Sequence, residues 1–177
     1  YENGMDALAL TDHGNANGLA GQVLHAKKMK KAGKEFKPIF GVEAYFVPSI
    51  KDWKEEYERI KADKKQARKI INDTNKVSIE DEGASKSKTK NKVNSKAHIV
   101  LVAQNQTGLN NIFKIVSDSH RGDNFYSKPR LDYEMLEKHG DGIIASSACL
   151  GGFYARNFWD NLEDGEEAIL NSMRETT

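Results

Sequence analysis

Ala7-Leu8-Ala9-Leu10-Thr11-Asp12-His13-Gly14-Asn15 passes from apolar to polar within nine residues. Its apolar half, residues 7–10, has the composition of a short strand buried on both faces, and it stops at a polar cluster closed by glycine. In α/β folds the loops after strands collect ligand and catalytic groups, because the sheet fixes them while solvent still reaches them. Asp12 and His13 are therefore candidate site residues. By themselves they read more readily as a loop hydrogen bond than as a metal site.

Outward from that stretch, strand-like and helix-like segments alternate. Residues 18–32 place Leu19, Val23, Ala26 and Met29 on one side at helical spacing, with Lys27, Lys28, Lys30 and Lys31 near the end, where cations suit the helix dipole, and Gly33 as a stop. Residues 37–47 form the next buried strand, closed by Pro48. Glu43 is the anomaly in it, because a carboxylate inside an apolar run is costly to bury unless it is paired or bound to a metal. The plain alternative is a strand with one wet face.

Residues 97–103, Ala-His-Ile-Val-Leu-Val-Ala, read as a third strand. Residues 107–120 are an amphipathic helix with Leu109, Ile112, Phe113 and Val116 on one face. Residues 125–131 (Phe-Tyr-Ser-Lys-Pro-Arg-Leu) read as a loop, 133–138 as a short helix and 142–147 as a strand. A turn at 148–152 follows, and a last helix over 161–174 is expected to bury Leu162, Ile169 and Leu170, with Met173 beside them. Such alternation predicts a largely parallel sheet or barrel.

Residues 49–96 interrupt the pattern. Lys and Arg number fourteen between Ser49 and Ala97 against nine Asp and Glu, a net +5 that leaves −4 for the rest of a chain whose total is +1. The first part, from Trp53 to Ile71, fits a charged helix with a thin stripe of Trp53, Tyr57, Ile60 and Ala67. Residues 85–96, with lysines at 86, 88, 90, 92 and 96 and almost nothing apolar, are expected to be disordered. A basic arm for nucleic acid and a solvated loop both fit; no aromatic residue interrupts the lysines to stack on a base.

The 177 residues suit one domain. The lone Cys149 rules out an internal disulfide framework and agrees with a reducing compartment. No apolar run reaches the roughly 18 residues of a membrane span, and no signal peptide is recognisable, so a soluble, cytoplasmic protein is expected. The chain begins at Tyr1, not Met, and reads as a fragment.

His13, Glu43, His98 and Cys149 all stand in or beside strands. A mixed imidazole, carboxylate and thiolate set favours Zn²⁺, or Mn²⁺ where carboxylates share the work. His98 is out of place, because it begins its apolar run, the wrong end for a site at the C-terminal ends of parallel strands. Either that strand begins later or it enters irregularly. His25, His120 and His139 fall on helices or at helix ends, where a solvated or dipole-facing imidazole is the usual explanation.

The ordered motifs Ala7-Leu8-Ala9-Leu10-Thr11-Asp12-His13-Gly14-Asn15, Gly41-Val42-Glu43-Ala44-Tyr45, His98-Ile99-Val100-Leu101-Val102-Ala103, Tyr126-Ser127-Lys128-Pro129-Arg130-Leu131-Asp132 and Ser147-Ala148-Cys149-Leu150-Gly151-Gly152 resemble the polymerase and histidinol phosphatase (PHP) domain found at the N-terminus of bacterial replicative DNA polymerase III alpha subunits. The likeness spans nearly the whole chain outside residues 49–96. It implies an α/β fold, a distorted, TIM-like (β/α)7 barrel, here incomplete at both ends, with a metal cluster at its strand ends. His13, Glu43, His98 and Cys149 fall on the family's ligand positions, and Asp12 takes a supporting role that orients the site. The family's His-x-His pair and acidic residue before the first motif, and its Asp-x-His pair after the last, have no counterpart in this chain. Residues 49–96 look like an insert peculiar to this lineage.

The resemblance further implies DNA replication as the setting. The partners would be DNA, the remaining polymerase domains and, through the parent protein, a proofreading subunit and a sliding clamp. The polymerising carboxylates, with their Mg²⁺, would lie elsewhere in the parent. The metal site would be a phosphoesterase, either a 3′-5′ exonuclease or a pyrophosphatase, with Arg130 and Lys128 facing the phosphate. The fragment alone is expected to be inactive. The other readings are a free-standing phosphatase acting on a small ester such as histidinol phosphate, and a non-catalytic scaffold for the polymerase.

Overall fold

A computed structural model describes residues 1–74 and 96–174. The strands β1 (Ala7–His13), β2 (Lys37–Phe46), β3 (Ala97–Ala103) and β6 (Ile143–Ser146) form one sheet in the order β1-β2-β3-β6. The helices are α1 (Leu19–Lys31), α2 (Ile50–Thr74), α3 (Gln106–Ser119), α4 (Tyr133–His139), α5 (Phe153–Asp160) and α6 (Glu166–Arg174). The architecture is α/β, as expected. The run 85–96 lies outside the described residues except for Lys96.

The sheet is mixed, which corrects the expectation of a largely parallel one. β1 pairs parallel to β2, whereas β3 pairs antiparallel to both β2 and β6. Apolar composition marks a strand but carries no direction, and the long connection through α2 lets the chain return from the opposite end.

The core sits on one face of this sheet. Val42, Ala44 and Phe46 of β2 alternate with Glu43 and Tyr45, and side chains two apart share a face. Val42 stands opposite Leu101 in register, and both are fully buried against Ile112 and Ile115 of α3. The expected amphipathic helix thus packs by its Ile112 face, while Phe113 stays exposed.

Two expectations about burial fail. Leu8 is 55% exposed, because β1 pairs only with β2 among the described residues and forms an edge of the sheet, not a strand covered on both faces. The last helix is split: a 3-10 turn at Leu162–Asp164 and Gly165 precede α6, and Leu162 and Leu170 are exposed, because α6 packs mainly on α5 and that turn. The side chain of Met173 lies outside the described residues.

The expected loop at 125–131 contains a two-rung hairpin, β4 (Phe125–Tyr126) and β5 (Lys128–Pro129), turned by Ser127 at φ 58°. Asp132, just after it, starts two helices with one carboxylate. Its Oδ1 accepts from Met135 N at 3.1 Å to cap α4, and its Oδ2 accepts from Ile50 N at 3.0 Å to cap α2. An ion pair from Lys54 to Asp123 ties α2 to the turn before the hairpin. Among the described residues no helix is long and apolar enough to cross a membrane.

Candidate metal centre

The register of three strands collects the polar residues. His13 is the last residue of β1 and stands opposite Glu43, so in a parallel pair both side chains leave the same face. Tyr45, two residues on, shares that face and stands opposite His98. Because β3 runs antiparallel, its second residue lies where β1 ends. The strand direction therefore accounts for His98, which neither begins late nor enters irregularly.

At this edge His98 Nδ1 donates to Glu43 Oε1 at 2.7 Å, and His13 Nε2 lies 3.3 Å from the same oxygen. One ligand atom from each of His13, Glu43 and His98 can be chosen so that all lie within 4.8 Å of one another. Cys149 joins them from the turn after β6, its Sγ 3.8 Å from His98 Nδ1 and 4.0 Å from Glu43 Oε1. Three of the four residues expected at a metal centre thus form one group, and Cys149 lies beside two of them.

Backbone geometry holds them there. Gly14 N donates to Glu43 O at 2.8 Å, which ties the chain after His13 to β2. Gly14 has φ 68°, and a Cβ there would stand 2.8 Å from Pro129 and 3.1 Å from the Tyr45 ring, so no other residue fits. The cysteine turn passes through Ala148 at φ 59°, an uncommon conformation for a residue with a Cβ. His98 N donates to Gly151 O at 2.9 Å, fixing the turn to β3, and a Cβ on Gly152 would collide with Ser147 O at 1.7 Å.

Asp12 points to the other face of β1. Its Oδ2 accepts from Gly18 N at 2.7 Å and so fixes the loop that links His13 to α1. His25, His120 and His139 stay outside the cluster; His120 Nδ1 donates to Val116 O at 2.8 Å and His139 faces Asp118.

Arg130 and Lys128 part company. Arg130 is only 2% exposed, its Nη1 donates to the carbonyls of Tyr126 at 2.7 Å and Lys128 at 3.1 Å, and its guanidinium lies 4.0 Å from the centre of the Trp53 ring. Burial lowers its pKa from the usual arginine value. Tyr57 and Tyr126 close the same cluster at 4.5 Å between ring centres, and their hydrogen bond raises the Tyr57 pKa. Lys128 is exposed, with Nζ 5.2 Å above the Tyr45 ring.

Sequence reasoning missed Tyr45 and Lys96 as neighbours of the cluster. The Tyr45 ring lies 5.2 Å from that of His98 and 6.4 Å from that of His13, and Lys96 Nζ stands 5.5 Å from its centre. The two-residue step from Glu43 to Tyr45 could have revealed the first. Burial, with the charges of Arg130, Lys128 and Arg156, holds the Lys96 pKa below the ordinary lysine value.

The donor set suits a divalent ion. Two imidazoles, a carboxylate and a nearby thiol are the ligand types of zinc sites, and the His13, Glu43 and His98 atoms lie close enough together to hold one ion.

An α/β chain with histidine, carboxylate and cysteine at one sheet edge matches a known class over almost all its length: residues 1–176 match the PHP domain, and the chain belongs to that family. In particular it is similar to DNA polymerase III alpha subunits. It is 34% identical over 167 residues to that of Borreliella burgdorferi, covering 94% of this chain and 11% of that protein. The Aquifex aeolicus protein is 34% identical over 151 residues, or 85% of this chain and 10% of its own length. That of Thermus aquaticus is 32% identical over 165 residues, 93% of this chain and 10% of its own. The chain therefore spans about a tenth of the length of these relatives.

Proposed function

We propose that this chain is the PHP domain of a replicative DNA polymerase alpha subunit, and that its strand-end cluster is a metal-dependent phosphoesterase centre of the 3′-5′ exonuclease type. The observation that carries the reading is the convergence of His13, Glu43 and His98 within 4.8 Å, with Cys149 Sγ beside them. Likeness to three polymerase alpha subunits supports the setting. The four-stranded mixed sheet is then part of a distorted, TIM-like seven-stranded barrel, and residues 49–96 are an insert in it.

His13, Glu43 and His98, with Cys149 beside them, would hold Zn²⁺ or Mn²⁺. A bound divalent ion supplies Lewis acidity toward phosphate oxygens and lowers the pKa of a water molecule. Glu43 would bring carboxylate charge to offset that of the ion, and its contact with His98 Nδ1 holds the two side chains together. Asp12 keeps the loop after His13 in place through Gly18. Lys128 is the cation available to substrate, whereas Arg130 is committed to the hairpin carbonyls and the Trp53 ring.

In this reading DNA and the remaining polymerase domains are the immediate partners, and a proofreading subunit and sliding clamp are reached through the parent protein. Polymerisation, with Mg²⁺, takes place outside this domain. The experiment compares wild-type full-length protein with His13→Ala and Glu43→Gln for release of nucleotides from DNA 3′ ends in Zn²⁺ or Mn²⁺. Both variants should lose hydrolysis by at least about 100-fold, about 2.7 kcal/mol of transition-state stabilisation, and still polymerise. A wild-type protein that takes up metal but hydrolyses no phosphoester would leave a scaffold role.

A further inference from the structure

Two cations share one aromatic ring beside the strand-end cluster. Lys96 and Lys128 hold their ammonium groups 5.5 and 5.2 Å from the centre of one ring, Tyr45, and among the described residues neither forms an ion pair with a carboxylate. Tyr45 is buried and its ring adjoins those of both His13 and His98, so a single ring links the two lysines to the candidate ligands. Arg130 and Arg156 add further positive charge around Lys96. The side-chain hydrogen bonds of Arg130 run to the backbone carbonyls of Tyr126 and Lys128, so among the described residues no carboxylate is bonded to it.

Like charges gathered around one ring repel one another, and an anion brought among them relieves the repulsion. A divalent ion on His13, Glu43 and His98 would make the edge more positive still, because Glu43 is the one carboxylate of that cluster. The complement is an oxyanion with several acceptor oxygens. Lysine suits this role as a mobile point charge with three donors, and long stems let two ammonium groups converge on one group above the ring.

We propose that Lys96 and Lys128, held over Tyr45, form the phosphate-binding half of the site and take the non-bridging oxygens of a phosphate ester presented to His13, Glu43 and His98. The proposal rests on the phosphoesterase reading and names how its substrate is held. Lys96, at the start of β3, takes the place that sequence reasoning gave to Arg130. Tyr45 acts as a positioning residue, because its ring sets where both ammonium groups stand. The shared chemistry is the phosphate oxyanion, which either a single DNA strand or a small phosphate ester can bring.

The test measures binding of inorganic phosphate, a nucleoside monophosphate and a short single-stranded oligodeoxynucleotide to full-length wild-type, Lys96→Met and Lys128→Met proteins, each with metal and after chelation. Melting curves and metal content are recorded for every variant, and Lys96→Gln replaces Lys96→Met if that curve shifts. Each substitution should weaken inorganic phosphate binding about tenfold, about 1.4 kcal/mol, with metal content unchanged. For a DNA strand, each should also lower the slope of log affinity against log salt by about 0.7. Loss on the oligonucleotide together with phosphate identifies a strand as the ligand; loss on phosphate and the monophosphate alone identifies a small ester. Lysine-dependent phosphate binding by a protein that takes up no metal would keep the clamp and remove the metal reading. Phosphate affinity equal to wild type in both variants overturns the proposal.

Discussion

The two faces of β2 do different work. Val42, Ala44 and Phe46 pack against Leu101, Ile112 and Ile115, while Glu43 and Tyr45, alternating with them, meet His13, His98 and the lysines. The core face is built from apolar groups whose burial is its own reward. The site face is built from groups costly to desolvate, and it persists because backbone bonds to Gly14 and Gly151 and the packing of the core hold its segments in place. One strand can thus carry both, provided that the stability of the core does not depend on what the site binds.

The sharpest way to break this division is to damage the core alone. Leu101→Ala should cost about 2–5 kcal/mol of unfolding free energy in urea titration, since the side chain is fully buried between β2 and α3. Metal affinity of the fraction that stays folded should not change. Next in size is Arg130→Met, which removes two part-buried hydrogen bonds at about 0.5–1.5 kcal/mol each. Thermal melting should show that Arg130→Lys fails to restore it, because the guanidinium also stacks on Trp53.

Asp132→Ala removes the cap of α4 and one of two side-chain bonds at the start of α2, where Ser49 Oγ still accepts from Asp52 N, and should cost roughly 0.5–2 kcal/mol, read by circular dichroism as lost helix signal and a lower melting temperature. The smallest effect is expected at Lys128→Met. Its side chain is exposed and stability should stay within about 0.5 kcal/mol of wild type in the same urea titration. A larger loss there would make Lys128 part of the fold, as Arg130 is.

How far these features were legible from sequence follows the same division. Apolar periodicity located α1, β2, β3 and α3 to within a residue or two, because burial imposes it locally. It could not say which way β3 runs, and His98 looked misplaced until the antiparallel register put it opposite Tyr45. Arg130 and Lys128 have the same formal charge and stand two residues apart, yet one is buried under Trp53 and the other exposed over Tyr45. That separation depends on Trp53, which is distant in sequence and was read only as part of a thin helix stripe. Lys96 was counted within a basic run, where charge alone could not distinguish a side chain beside the site from the rest.

Binding of a divalent ion by the strand-end cluster is what separates a metal centre from a hydrogen-bonded sheet edge. Metal content and affinity should be measured for full-length wild-type, Glu43→Gln and His98→Ala proteins after chelation and re-addition of Zn²⁺ or Mn²⁺. Wild type should take up the ion, and each variant should lose at least about tenfold in affinity while its metal-free melting temperature stays close to wild type. Uptake that is equal in all three proteins would mean that the ion is held elsewhere, and that His13, Glu43 and His98 are no more than a hydrogen-bonded cluster at the sheet edge.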